Sequence, residues 1–203
     1  MTAFHRFRLT LLTAVSLCLL PAFRAEAQQV AVKTNLLSWT LATPDLGVEM
    51  ISGEHTSLAL SVFGHSYEKG ILCPKEQGSK LVVVQPEFRY WFNGRPLTRE
   101  YVGISAFWAS YDTHAPFHGQ DRVQYYDGDA LALGLSGGYV FTLGKRWGLE
   151  LSGGTGLVLF RQKHFWEGDN YNAYFDGRVS EPNSWGYMIF PVKLAVSLIY
   201  IIK

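Results

Sequence analysis

Val84–Phe92 reads VQPEFRYWF, and Glu87 and Arg89 alternate there with Pro86, Phe88 and Tyr90. The β-branched and aromatic content is that of a strand, whose side chains point alternately to two faces. A strand buried on both faces would exclude the two charges. One lying on a soluble core would turn them to water. A third arrangement sets the apolar face against lipid and the charged face inside a closed polar interior.

Seven other segments share the two-residue period, so eight strands are expected: Val30–Trp39, Asp45–Ile51, Thr56–Gly64, Leu81–Phe92, Tyr101–Tyr111, Asp129–Leu143, Trp147–Phe160 and Tyr187–Ile202. In the sixth, Leu131, Leu133, Leu135, Tyr139 and Phe141 alternate with Ala132, Gly134, Ser136, Gly138 and Thr142. In the eighth, Val192, Leu194, Val196, Leu198 and Tyr200 alternate with Lys193, Ala195 and Ser197. One face is continuously apolar and the other is small or polar. The polar face collects Lys33, Asn35, Glu49, Gln85, Glu87, Arg89, Glu150, Ser152 and Lys193. Charges withdrawn from bulk water need partners of opposite sign, and both signs are present. These residues are expected to form an interior structural network, with Val82, Val84, Phe88 and Tyr90 outside.

The connections alternate in length. SGEH (Ser52–His55), NGRPLTRE (Asn93–Glu100) and GKR (Gly144–Arg146) are short, whereas His65–Lys80, Asp112–Gly128 and Arg161–Gly186 are long and polar. At the long end only TLATP (Thr40–Pro44) is brief. Short periplasmic turns and longer extracellular loops characterise outer-membrane barrels. The expected fold is all-β, an eight-stranded antiparallel up-and-down transmembrane β-barrel. Its edges must close, because unpaired backbone groups find no water in lipid. Eight strands leave an interior that side chains can fill, so no open pore is expected. Pro86 cannot donate to the ladder, and a bulge is expected there.

The N-terminus carries Arg6 and Arg8, an apolar run from Leu9 to Phe23 and the small-x-small site Ala25–Ala27. Residues 1–27 thus read as a cleaved signal peptide, and residues 28–203 as the barrel domain. The run is too short for a membrane anchor, and Leu17 before Cys18 does not suit a lipoprotein signal. Cleavage would leave Cys73 as the single cysteine, so no intramolecular disulfide can form. It would also remove three basic residues and one acidic residue, taking the formal charge from +1 to about −1. That balance gives no basic footprint for nucleic acid. With 13 Phe, 11 Tyr, 6 Trp and 20 Gly against 17% charged residues, a water-soluble form would have a large apolar area to hide.

KTNLLSW (Lys33–Trp39), TPDLGVE (Thr43–Glu49), QPEFRYWF (Gln85–Phe92), LGKRWGLE (Leu143–Glu150) and the terminal KLAVSLIYIIK together resemble a family of outer-membrane barrels of Bacteroides-type bacteria, domain of unknown function 3575. The resemblance runs end to end over the mature chain. It implies a small barrel without established activity, whose genes are often near those of fimbriae or surface adhesins. It implies no catalytic residue. Outer-membrane lipid and a surface or fimbrial protein are the expected partners.

His114 and His118 lie four apart near Asp112 and Asp121, but Pro116 between them breaks the helix that such spacing needs to align ligands. No metal or cofactor is expected. His65, His114, His118 and His164, with Asp112, Asp121, Asp127 and Asp169, are expected at or beyond the strand ends of the long-loop side. A rim enzyme acting on lipid or peptide is therefore an alternative, although no nucleophile with a positioned base emerges from spacing. The loop from His164 to Tyr187 interleaves aromatics with Asp, Asn and Gly, a composition suited to recognition or to an interfacial girdle. A soluble lipocalin-like barrel with its apolar face inward is a further alternative, and it would require a more polar outer face.

Overall fold

In the computed structural model, residues 29–67, 79–115, 124–166 and 184–202 are described. Their eight strands are β1 (Val30–Asn35), β2 (Asp45–Ile51), β3 (Thr56–Tyr67), β4 (Ser79–Trp91), β5 (Arg99–Ala115), β6 (Gln124–Thr142), β7 (Trp147–Trp166) and β8 (Ser184–Ile201), with one short helix, α1 (Leu36–Thr40). Each strand pairs with the next, and β1 pairs with β8, so the sheet closes into an antiparallel up-and-down barrel.

The alternation in β6 sorts the two faces. Leu131, Leu133 and Leu135 are 56%, 64% and 66% exposed on the outside, while Ala132 between them is 3% exposed inside. In β4, Val82, Phe88 and Tyr90 are exposed on the outer face; Val83, Gln85, Glu87, Arg89 and Trp91 are buried within. At the short-turn end the lumen is plugged by a cluster of Ala31, Trp91, Leu97, Tyr101, Val140 and Ile199. Leu97 holds a left-handed backbone, φ 66°, in the turn between β4 and β5. That conformation costs a non-glycine residue about 1–2 kcal/mol, and burying a leucine returns about 1.5–3 kcal/mol.

Four local expectations change. The first strand ends at Asn35 rather than Trp39. The Asn35 side chain accepts from the Leu37 amide at 3.1 Å as a helix cap, and Asp45 Oδ1 accepts the Asn35 amide at 2.5 Å. Ser38 Oγ donates to the same Asp45 oxygen at 3.1 Å. These side-chain acceptors end the ladder and start the helix.

Second, no bulge forms at Pro86. Leu60 pairs with Pro86 on one side, and on the other Val84↔Trp108 and Glu87↔Ser105 keep one register across it. Only the pairings of Gln85 and Pro86 with β5 are missing, as a residue without an N–H allows. The register shift lies instead opposite Gly154 and Thr155, where Gly154 pairs with Lys193, Thr155 pairs with Pro191, and Val192 is left over. Third, this extra residue reverses the parity of β8. Val192 packs inside with Val83 and Val158 rather than on the outer apolar face, and Phe190 and Met188 also face the lumen. Fourth, β3 to β8 continue beyond their expected ends on the long-loop side. Asp112, His114, Asp127 and His164 therefore lie in strands, and the long connections shrink to residues 68–78, 116–123 and 167–183, outside the described residues together with His118, Asp121 and Asp169.

Gly134 makes room for the inward Val192. A Cβ added there would stand 2.7 Å from the Thr155 carbonyl oxygen and 2.7 Å from Val192 Cγ2, whereas one at Gly144 would meet nothing within 4 Å. Gly134→Val is expected to destabilise the barrel by about 1–3 kcal/mol through overpacking, and Gly144→Ala to leave it unchanged. Urea unfolding of the refolded variants followed by circular dichroism checks this; equal midpoints would contradict the packing described.

Candidate functional site

Midway along the lumen every strand contributes a polar side chain to one connected layer. Lys33 comes from β1, Glu49 from β2, Ser57 from β3, Glu87 and Arg89 from β4, Tyr101 from β5, Ser136 from β6, Glu150 from β7 and Lys193 from β8. Their inward direction follows from the two-residue period of each strand and, for Lys193, from its place just below the bulge.

Arg89 is the centre. Its Nε and Nη2 donate to Glu87 Oε2 at 2.9 and 2.6 Å, Nη1 and Nη2 form a fork with Glu150 Oε2 and Oε1 at 3.0 Å each, and Nη1 also donates to Glu49 Oε2 at 2.9 Å. All five guanidinium hydrogens are thereby used. Lys33 pairs with Glu49 and with Glu150 at 3.1 Å, and Lys193 pairs with Glu87 at 2.6 Å and with Glu150 at 3.8 Å. Three cations meet three carboxylates, so the layer carries no net charge.

Neutral groups add further donors to the carboxylates. Ser57 donates to Glu49 and Ser136 to Glu87. The Tyr101 hydroxyl donates to Glu150 Oε1 at 2.6 Å, and the Arg89 guanidinium lies 4.3 Å from the Tyr101 ring centroid. Trp91 Nε1 donates to Ser57 Oγ at 2.8 Å. Glu49, Glu150 and Arg89 are 0%, 1% and 3% exposed. Charges this deep interact strongly because little water screens them.

Of the residues expected from sequence, Lys33, Glu49, Glu87, Arg89, Glu150 and Lys193 converge in this layer. Asn35 does not; it caps α1 and accepts from the Val196 amide at 3.0 Å. Gln85 points inward but reaches the Val192 carbonyl at 3.4 Å rather than an ion. Ser152 is buried with an unpaired hydroxyl, as is Ser105. Tyr101, Ser57, Ser136 and Trp91 belong to the network and were not expected. Their signal was parity, since each sits on the inner face of its strand; hydroxyls and an indole N–H simply stand out less than charges.

A cavity of about 440 Å³ lies between this layer and α1, lined by Lys33, Arg89, Glu150 and Lys193 together with Leu37 and Leu41. Lys33, Arg89, Glu150 and Lys193 are engaged by ions of opposite sign, whereas Asp45, which also lines the cavity, accepts hydrogen bonds from Thr34, Ser38 and the Asn35 amide. The arrangement therefore binds the wall together across its diameter and blocks the lumen. At the long-loop rim, Thr43 Oγ1 and His65 Nδ1 are 3.0 Å apart.

Removing Arg89 would leave three buried carboxylates facing two lysines. Arg89→Ala is expected to destabilise the barrel by about 3–5 kcal/mol, the range for breaking a buried pair. Arg89→Lys should recover only part of this, because an ammonium cannot reproduce the fork. Arg95→Ala, in an exposed turn, is expected to have little effect. Urea midpoints give the ranking, and indistinguishable values for Arg89→Ala and Arg95→Ala would refute the central role of the guanidinium.

Neither a curated protein nor a solved structure matches the chain. The family described as Protein of unknown function (DUF3575) matches residues 12–202, nearly the whole length, and the chain belongs to it.

Proposed function

We propose that the protein is an outer-membrane β-barrel, exported through a signal peptide of residues 1–27 that is then cleaved, and that it presents its long connections at the cell surface to a surface or fimbrial protein partner. The carrying observation is the inversion of polarity between the two faces. Outside stand uncharged side chains such as Leu46, Leu60, Val82, Ile104, Leu133 and Leu159, all exposed, while the buried ions are inside. Water-soluble monomers rarely show an apolar surface that runs around the whole molecule. Lipid removes the penalty, and closure leaves no unpaired edge within it.

The sealed lumen supports a scaffold rather than a channel. The neutral ion layer has no unpaired charge to pass on an ion, and the Trp91, Tyr101 and Leu97 plug lies between it and the short-turn end. On this reading the short turns face the periplasm and the long connections the exterior, which is where a partner would dock. The surface or fimbrial partner follows from the family resemblance.

Cys73 lies in the connection between β3 and β4, on the side proposed to be external. In the native host the protein is expected in the outer-membrane fraction, migrating faster on a denaturing gel before boiling than after. A membrane-impermeant maleimide should label Cys73 on intact cells. A cysteine at Lys145, in a Cys73→Ser background, should be labelled only after permeabilisation. Recovery in the soluble periplasm would overturn the membrane reading, and the reverse labelling pattern would overturn the orientation.

A further inference from the structure

The long-loop half of the lumen differs in kind from the rest. Below the ion layer large side chains fill the barrel. Above it the inner face carries Val83, Ala109, Ala130, Ala132 and Val158, all small. Val83, Ala109, Ala130 and Val158 border a cavity of about 440 Å³. Its wall is completed by rings, among them Phe63, Phe107, Phe160 and Phe190. Polar side-chain atoms among its lining residues are confined to the Tyr111 hydroxyl and Gln162, and these are hydrogen-bonded to each other at 3.0 Å.

The β8 bulge is what creates this wall. Without Val192 as an extra residue, Phe190 and Met188 would share the outward parity of Leu194; with it they face the cavity. A residue pattern that merely needed an apolar exterior would have kept them outside. Water entering such a space finds few hydrogen-bonding partners, and small side chains leave it unfilled. An eight-stranded barrel has room for one slender ligand where its own side chains do not fill it, and the volume falls in the range of small-molecule pockets.

We propose that this half of the barrel is a binding site for a single unbranched aliphatic chain of an amphiphile, its polar head at the Tyr111–Gln162 end. Branched or fused-ring ligands fit less well, because the width is fixed by the strand number. The chain could come from a free fatty acid or from a membrane lipid, and both present the same chemistry to these walls. The site depends on the interior geometry and not on what surrounds the outer face.

The test uses the refolded full mature chain in phospholipid nanodiscs, methyl-labelled for nuclear magnetic resonance, titrated with dodecanoate. The expected result is saturable shifts of the Val83, Val158 and Met188 methyls, with no saturable shift at the outward Leu131 and Leu133. Ala130→Phe, which places a ring in the space its lining methyl borders, should abolish saturation, and Leu131→Ala should preserve it. A phospholipid spin-labelled at its chain end distinguishes the source: broadening of Val83 and Val158 without dodecanoate identifies a bilayer lipid as occupant. Absence of both saturable shifts and inner broadening in the unsubstituted chain overturns the site, as does saturation that survives Ala130→Phe. Incorporation into the disc reports separately on the membrane reading; a chain that stays in water is titrated there.

Discussion

The five N–H groups of Arg89 are the constraint on which the barrel's interior depends. A guanidinium taken out of water must place every hydrogen, and here they go to carboxylates from three strands, Glu49, Glu87 and Glu150. Lys33 and Lys193 then balance the charge, Ser57 and Ser136 donate to the oxygens that remain, and Tyr101 adds a second donor on a Glu150 oxygen already held by Arg89. Buried ion pairs are often no more stabilising than well-packed apolar residues, but leaving one partner alone is severe. Their value here lies in register. A slip of one residue between neighbouring strands would turn charges outward and leucines inward, and with all eight strands contributing to one layer, no single pair can slip without orphaning an ion.

That layer also divides the lumen. On the short-turn side Trp91, Tyr101 and Leu97 pack into a plug, and Tyr101 joins the two regions by stacking under Arg89 while donating to Glu150. On the long-loop side small inner residues such as Ala109 and Ala130 stand among the rings of Phe63, Phe107 and Phe160, and the Val192 bulge turns Met188 and Phe190 inward as well. The result is a barrel closed at one end and hollow at the other. Such an asymmetry suits a molecule whose outward business is at the long-loop end, and it separates the requirement for a fixed wall from the composition of the connections above it.

The wall was legible because its information is periodic. Leu131, Leu133 and Leu135 against Ala132, Gly134 and Ser136 assign faces regardless of tertiary detail, and Glu87 and Arg89 two apart must share the inner one. The six ions could therefore be named from parity and charge balance alone. What was missed depends on breaks in the period. Asn35 lies on the polar face by parity, but its side chain competes for the Leu37 amide and turns the chain into α1. Pro86 suggested a bulge, yet a strand can lose two pairings on one side without changing register; the extra residue sits instead beside Pro191. Nothing in the sequence ranks one proline above the other, because the choice is made by what must face the lumen above and below. Polar composition likewise suggested loops at Asp112–Gly128 and Arg161–Gly186, whereas β5, β6 and β7 continue well into both.

The proposed membrane reading puts the ions on the inside of the wall and the apolar face against lipid. Two tryptophans report on it directly: Trp91, fully buried in the lumen, and Trp108, exposed on the outer face. Single-tryptophan forms retaining one or the other, with the remaining indoles replaced by phenylalanine, would be reconstituted in vesicles whose acyl chains carry bromine. Strong quenching of Trp108 with Trp91 spared is the predicted result. Quenching of Trp91 with Trp108 spared, or of neither, would contradict the assignment of the two faces.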